Sequence, residues 1–219
     1  MPGRRTLFAG LMISALALVG FLLLASMFKQ DSFVQQDLAF TQRIHASEES
    51  VLAPVLDIVT DMGKSVLIVV VLEIAALLWF RRRWSDLAFW LVVIIGGFVL
   101  NLVLRVAFQG PRPYLENTAV IQQNTGFPSG HTMMALVTYG LLIYGVRGLL
   151  SRQRWLLMAS GLIVLVLLIG YSRMFFGFHY VSDVVGGYLA GLFWLSLCLS
   201  IYQLLPLSLR PKHADEMST

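Results

Sequence analysis

The apolar residues of this chain stand in long uninterrupted blocks, and that arrangement leaves few folds open to it. A block of about 20 apolar residues is what a helix needs to cross roughly 30 Å of hydrocarbon. Hydrophobic residues make up 58% of the 219 positions and charged residues only 13%. Too few polar groups are present to cover a soluble domain of this size. The sequence therefore predicts an all-α integral membrane protein.

Six blocks predict a six-transmembrane-helix bundle that forms a single domain over residues 1–219. The predicted spans are about 7–28, 65–80, 87–108, 131–149, 155–171 and 183–205. The first block is longer than the apolar region of a signal peptide and no clear A-x-A site follows it, so a retained anchor is expected. The chain shows no internal repeat, and a transporter built from inverted repeats therefore gains no support.

The longest polar stretch, 29–64, contains a segment with helical periodicity. Its apolar residues recur at helical spacing beside acidic ones: Val51, Leu52, Val55, Leu56 and Val59, with Glu48, Glu49 and Asp57. Such a segment fits an amphipathic helix in the membrane interface, and it fits a helix packed on the outer face of the bundle equally well. His45 stands alone in this stretch and is expected to be solvated.

Loop charges predict the orientation of the spans, because cytoplasmic loops carry an excess of lysine and arginine. One set of loops carries ten positive residues: Arg4, Arg5, Arg81, Arg82, Arg83, Arg147, Arg152, Arg154, Arg210 and Lys212. The other set carries six: Lys29, Arg43, Lys64, Arg105, Arg112 and Arg173. Both termini are therefore expected in the cytoplasm. The net charge of +4 is spread over short loops, which gives no reason to expect a nucleic-acid partner.

Three short polar stretches, 105–113, 127–131 and 172–183, lie at the predicted outer side. The first ends span three, the second opens span four, and the third joins spans five and six. Since the parity of the spans places all three at the same membrane face, we expect them to converge on one site.

The residue types in these stretches are suited to holding an anion. Arg105, Arg112 and Arg173 offer planar, bidentate donors without an equal number of acidic partners. Ser129 and Gly130 precede a helix whose first N–H groups can bind phosphate, and glycine permits close backbone approach. Taken alone, the Pro-Ser-Gly turn is also compatible with an ordinary helix cap.

Two histidines and an aspartate complete the predicted cluster. If the last helix begins before His179, Asp183 shares its face and can accept a hydrogen bond from one imidazole nitrogen, leaving the other free to attack. His131, on another span, can protonate a leaving oxygen as a general acid. No metal site is expected here, because only Asp183 offers a third ligand and three guanidinium groups would repel a divalent cation.

These three stretches resemble the signature of the type-2 phosphatidic acid phosphatase superfamily, which also includes vanadium haloperoxidases and bacterial acid phosphatases. That signature reads Lys-x6-Arg-Pro, then Pro-Ser-Gly-His, then Ser-Arg-x5-His-x3-Asp. The second and third parts match at every specified position. The first departs at Arg105, where the family usually has lysine, and arginine keeps the charge but changes its geometry.

The resemblance implies a phosphatase that works without a metal cofactor. His179 would attack phosphorus to form phosphohistidine, Asp183 would orient it, and His131 would protonate the departing group. The phosphoryl oxygens would be held by Arg105, Arg112, Ser129, Gly130 and Arg173. The substrate would be a lipid phosphate or pyrophosphate, with undecaprenyl pyrophosphate and phosphatidylglycerol phosphate as the leading choices, and the location a bacterial inner membrane. A phosphotransferase using the same intermediate, and a non-enzymatic lipid or anion carrier, are the alternatives.

Five further residues are interpreted from their position alone. Asn101 is expected to bond across helices, and Gly187 with Gly191 to allow close packing inside the bundle. For Glu73, in the middle of span two, a packed or hydrogen-bonded role is preferred over a functional one. Phe127 is expected to line the entrance of the site.

Overall fold

The computed structural model describes residues 2–28, 30–45, 50–108 and 126–204. All regular secondary structure within these ranges is helical, which confirms the predicted all-α class. In chain order the described helices are α1 (Pro2–Met27), α2 (Asp31–Ile44), α3 (Ala53–Met62), α4 (Ser65–Phe80), α5 (Trp84–Ala107), α6 (Gly130–Gly145), α7 (Arg152–Phe175) and α8 (Val181–Leu204).

The six predicted spans correspond to α1 and to α4 through α8. Five segments of the described chain are long and apolar enough to cross a membrane: Arg5–Met27, Ala53–Phe80, Trp84–Ala107, Arg152–Phe175 and Val181–Leu204. The second of these joins α3 and α4 across the turn at Gly63. Helix α6 has 16 residues, fewer than the roughly 20 that usually cross the hydrocarbon.

Helix α8 lies at the centre of the bundle, with α6 packed closely along it. A Cβ atom added at Gly187 would overlap the Thr132 hydroxyl, and one added at Gly191 would lie 2.9 Å from the carbonyl oxygen of Met133. Small residues let the two helix backbones approach, as is usual where packing rather than hydrophobic burial holds helices together in lipid. The predicted packing role of these two glycines is confirmed.

Helix α1 runs along the other side of α8. The Ser14 hydroxyl donates to the carbonyl of Phe193 at 3.2 Å, and Thr6 donates to the side chain of Gln203 at 2.9 Å. The start of α1 and the end of α8 therefore lie at the same end of the bundle. The opposite end holds the starts of α6 and α8 and the ends of α5 and α7.

The polar stretch between the first two spans contains two helices, of which the sequence predicts only the second. Helix α3 packs on α7, where Ala53 and Leu56 are buried against Phe175. Its outward residues Val55 and Ile58 are 60% and 66% exposed. Helix α3 thus packs on the bundle, as one of the two interpretations requires, and leaves an apolar face uncovered by the described chain.

Three interpretations from sequence position are wrong. His45 is not solvated, since its Nδ1 donates to the carbonyl of Phe175 at 2.9 Å. Phe127 does not line an entrance, because it is 2% exposed and stacks on Phe21 with ring centroids 5.1 Å apart. Glu73 is exposed on α4 rather than packed between helices. The errors at His45 and Phe127 concern partners from a distant part of the chain, which local spacing does not reveal.

Candidate active site

The third polar stretch begins with a turn that depends on a glycine. Gly177 has a φ of 70°, a left-handed conformation that glycine adopts without steric cost. Its N–H donates to the carbonyl of Met174 at 3.0 Å, and the N–H of Phe178 donates to that of Arg173 at 2.9 Å. These two bonds make a Schellman motif, which satisfies the last carbonyls of α7. The chain then leaves α7 in the loop 176–180, which carries His179.

His179 and Asp183 form a buried pair at the start of α8. The Nδ1 atom of His179 lies 3.3 Å from Oδ2 of Asp183, and the same oxygen accepts the N–H of Tyr180 at 3.1 Å. Helix α8 begins at Val181, two residues after His179, so the two side chains do not meet by sharing a helix face. The pair forms because Asp183 is the third residue of the helix and reaches back over its start, as an acidic residue does in a capping box. With Nδ1 held, Nε2 is the nitrogen that can meet a ligand.

Burial determines the charge of the His179 ring. It lowers the pKa of His179, since the cation loses hydration, while the hydrogen bond and the charge of Asp183 raise that pKa and the charges of Arg173 and Arg105 lower it further. The net direction is downward from the ordinary 6.5. His179 is therefore neutral at neutral pH, the protonation state that a nucleophilic imidazole needs.

The second polar stretch places a free hydroxyl beside this pair. Helix α6 begins at Gly130, and the N–H of Ser129 donates to the carbonyl of Asp183 at 2.9 Å. The Ser129 side chain makes no capping bond, so the ordinary-cap interpretation is wrong. Its hydroxyl is fully buried and has no partner within the described part of the chain. An unpaired buried hydroxyl is costly unless a ligand completes it.

Gly130 and His131 start α6 with α5 close behind them. A Cβ at Gly130 would lie 3.0 Å from Oδ1 of Asn101, which explains why the position takes no side chain. Asn101 also donates from Nδ2 to the sulfur of Met133 at 3.5 Å, and its predicted bond across helices is confirmed. His131 is half-buried and lies within electrostatic reach of His179, Arg173, Arg105 and Lys64.

The predicted arginines reach the site from different helices. Arg173, in the last turn of α7, has a buried Nε atom without a partner among the described residues. Arg105, in the last turn of α5, packs against Gly126, where an added Cβ would lie 2.7 Å from its Nε. Arg112 falls outside the described residues. The structure therefore brings together every predicted site residue that it describes.

Three neighbours of the site were not predicted as part of it. Thr60 accepts a hydrogen bond from Nη1 of Arg173 at 3.4 Å, and the Phe178 ring lies 4.2 Å from the guanidinium carbon. Lys64 adds a third cation near His131. The sequence marks Lys64 only as one of the outer-side charges, and Thr60 carries no sequence signal beyond its position on a short helix.

Arg105, Arg173, Lys64 and the Ser129 hydroxyl lie around the imidazoles of His131 and His179 and are called the cationic cradle below. Guanidinium donors, a free hydroxyl and the start of a helix suit the oxygens of a phosphoryl group. A neutral, oriented imidazole suits attack on its phosphorus, and a second imidazole suits protonation of the group that leaves.

Comparison with known sequences agrees with this chemistry. The PAP2 superfamily model matches residues 86–206, more than half of the chain. Phosphatidylglycerophosphatase B of Bacillus subtilis (strain 168) is 29% identical over 180 residues, which cover 78% of this chain and 86% of that protein. Undecaprenyl-diphosphatase BcrC of the same organism is 30% identical over 96 residues, which cover 42% of this chain and 45% of that protein. These matches confirm the predicted enzyme class, a phosphatase.

Solved structures show the same fold. The crystal structure of the transmembrane PAP2 type phosphatidylglycerolphosphate phosphatase from Bacillus subtilis matches with a TM-score of 0.77 at 25% identity, covering 89% of this chain and 98% of that one. The Aquifex aeolicus LpxE structure matches with a TM-score of 0.55 at 23% identity, covering 76% and 93%, and supports the fold alone. The family match includes the second and third polar stretches and all of α8, and the chain belongs to the PAP2 superfamily.

Proposed function

We propose that this protein hydrolyses a lipid-linked phosphate or pyrophosphate through a phosphohistidine intermediate on His179. The observation that carries the proposal is the buried pair of His179 and Asp183, which lies beside an unpartnered Ser129 hydroxyl and an unpartnered Nε of Arg173. The imidazole is neutral with its Nδ1 held by Asp183, and an anion bound at the site would complete the Ser129 hydroxyl and the Arg173 Nε.

The reaction runs in two steps. Nε2 of His179 forms a bond to phosphorus while the bond from phosphorus to the leaving oxygen breaks, and His131 gives that oxygen a proton. The products are phosphohistidine and a lipid alcohol or lipid monophosphate. Water then attacks phosphorus, His131 takes a proton from it, and the bond to Nε2 breaks to release inorganic phosphate. Asp183 holds Nδ1 in both steps and stabilises the charge on the ring.

The cations of the site supply the electrostatic stabilisation. Arg105, Arg112 and Arg173 bind the phosphoryl oxygens together with the Ser129 hydroxyl and the backbone of Gly130. They compensate the charge that develops on these oxygens, so the proposed reaction needs no metal ion. Arginine at 105 binds two oxygens through its planar group, where a lysine would offer one point charge.

We infer a six-span topology in which both termini are cytoplasmic and the site faces the periplasm or cell exterior. Helix α6 is then the fourth span, and the whole chain is one domain. The hydrogen bond between Thr6 and Gln203 supports this arrangement. It places the start of α1 and the end of α8 side by side, at the end of the bundle remote from His179. The exposed apolar face of α3 is proposed to rest in the outer interface of a bacterial inner membrane.

The proposed substrate is a lipid whose tails stay in the bilayer while its phosphate enters the cradle. Phosphatidylglycerol phosphate, undecaprenyl pyrophosphate and phosphatidic acid belong to this class. The names of the relatives support the first two, as a phosphatidylglycerophosphatase and an undecaprenyl-diphosphatase. Transfer of the phosphoryl group to a second lipid is the runner-up, since it shares the first step.

Phosphate release from a panel of these lipids tests the proposal. The purified protein is assayed in detergent with EDTA, beside His179→Ala and beside Asp57→Ala, which removes an exposed carboxylate of α3 as a control for handling. We expect release that survives EDTA, persists in the control and disappears in His179→Ala. Equal phosphate release from wild type and His179→Ala would exclude His179 as the nucleophile. Phosphoryl transfer to an added alcohol without free phosphate would favour the transferase.

A further inference from the structure

The first turn of α8 receives its cap from another helix. The first N–H groups of a helix have no partner within it, and the preceding residue usually supplies a side-chain oxygen. That residue is Tyr180, a type that rarely does so. Instead the N–H of Val181 donates to Oγ1 of Thr41 at 3.1 Å, and the N–H of Ser182 donates to Oδ1 of Asp37 at 3.1 Å. Both acceptors belong to α2.

These acceptors are themselves held in place. Thr41 is fully buried, and its hydroxyl donates to the carbonyl of Asp37 at 2.8 Å while it accepts from α8. The Ser182 hydroxyl donates to Oδ2 of Asp37, so one carboxylate accepts two bonds from a single residue. Hydrogen bonds to a carboxylate are stronger than neutral ones, and a negative charge at a helix start is favourable.

The same face of α2 also reaches the end of α7. Nδ1 of His45 donates to the carbonyl of Phe175 at 2.9 Å, and a Cβ at Gly177 would lie 3.0 Å from that nitrogen. Asp37 and Thr41 stand four residues apart on one face of α2, and His45 follows as the residue just after its C-terminal end. Helix α2 therefore contacts the chain on both sides of the loop 176–180.

We propose that α2 clamps the loop that carries His179, and that Asp37 and Thr41 are positioning residues for the His179–Asp183 pair. They act through the first turn of α8, because Asp183 lies in that turn and holds His179 at 3.3 Å. If this turn shifts or frays, the Asp183 carboxylate moves relative to the imidazole, and Nε2 of His179 is no longer oriented for attack on phosphorus. This inference rests on the proposed role of His179.

Substitutions at Thr41 give the sharpest test, because two of them differ only in the hydroxyl. Thr41→Val keeps the shape of the side chain and removes the acceptor, whereas Thr41→Ser keeps the acceptor. We expect kcat to fall on the order of ten-fold in Thr41→Val and in Asp37→Ala, because small misplacements of a reacting group are costly. KM should stay nearly constant, since the phosphate-binding groups lie on other helices. Thr41→Ser should retain the wild-type kcat.

Hydrogen–deuterium exchange provides a readout that does not depend on activity. Peptides covering residues 176–186 should exchange faster in Thr41→Val and Asp37→Ala than in wild type, Thr41→Ser, or Gln36→Ala on the exposed side of α2. Only folded, monodisperse protein enters both measurements.

Each outcome decides a different statement. Faster exchange with a lower kcat supports the clamp and its positioning role. Unchanged exchange in Thr41→Val and Asp37→Ala overturns the clamp. Faster exchange with an unchanged kcat overturns the positioning role and leaves α2 a stabilising contact. If the wild type releases no phosphate from any lipid, the proposed function fails, whereas the exchange data still decide whether the clamp exists.

Discussion

Helices α4 and α8 show two opposite ways for an apolar helix to take part in the bundle. Apart from Ser65 and Glu73, α4 is made of apolar residues, yet Leu67 is its only fully buried one. Helix α8 buries twelve residues, and polar or small ones such as Ser182, Asp183, Gly187 and Ser200 are among them. Lipid is as apolar as leucine, so an apolar helix gains little by leaving it. The central helix is therefore the one with small and polar residues.

The strongest test of this comparison places the same substitution at two glycines. Gly187→Val should prevent correct assembly, because even a Cβ would overlap the Thr132 hydroxyl and lie 2.7 Å from the carbonyl oxygen of Ser129. Gly161→Val, on α7, should be tolerated because nothing lies within 4 Å of an added Cβ. Yield of monodisperse protein and phosphate release measure both. Normal activity in Gly187→Val would contradict the close packing of α6 and α8.

A substitution of the buried carboxylate sharpens the comparison at the site. Asp183→Asn should lower kcat by roughly 10³–10⁴, as expected when an orienting carboxylate is lost from a histidine. The pH dependence should change as well. Protonation of His179 stops attack, so activity falls on the acid side as pH drops through its pKa, which lies below 6.5. Since Asp183 raises this pKa, its loss should move the acid limb to still lower pH.

Comparing the acid limb of wild type with that of Asp183→Asn, measured on the same substrate, removes the effect of the substrate's own ionisation. An acid limb that stays in place in Asp183→Asn would mean that another group, and not His179, controls it.

A smaller loss of activity is expected when a substitution at Arg173 keeps the positive charge but removes the planar guanidinium group. Arg173→Lys should lower kcat/KM about ten-fold, because lysine cannot replace a planar group that binds several acceptors. Arg147→Lys is the matched control, since Arg147 also lies over an aromatic ring, that of Trp155, at the other end of the bundle. If both variants lose activity equally, Arg173 acts through general stability and not through the phosphate.

The smallest effects should separate buried from lipid-facing leucines. Leu195→Ala on α8 removes a side chain that is 7% exposed, and the lost packing should lower the free energy of unfolding by about 1 kcal/mol or more. The measurement is the unfolding temperature in detergent, which should fall. Leu72→Ala on α4, where the side chain is 62% exposed, should stay within about 0.5 kcal/mol of wild type. A larger loss at Leu72 would show that α4 meets a partner that the isolated chain lacks.

The all-helical membrane class and the proximity of the described site residues could be predicted because their signals are local. A block of apolar residues has the length of a helix that crosses hydrocarbon, and His179 and Asp183 are only four residues apart in the chain. Span parity then brought the second and third polar stretches together, and the bond between Ser129 and Asp183 agrees with it.

What could not be predicted depends on partners far apart in the chain. An apolar periodicity does not reveal α2, because its inward face carries Asp37 and Thr41 and the residue that ends it is His45. Those residues are polar because they satisfy backbone groups of α7 and α8. Phe127 was misplaced for a similar reason, since Phe21 and Phe108 surround it.

The backbone hydrogen bond from Ser129 to Asp183 has a consequence for how such a site can diversify. It ties the turn at Ser129, proposed to bind phosphate, to the helix that carries Asp183, and no side chain takes part in it. Under the proposed function, side chains around the site can therefore be exchanged during evolution or engineering without losing this link between Ser129 and Asp183. New substrate preferences would then arise from changes in the side chains around the site, while the backbone link between α8 and the start of α6 is kept.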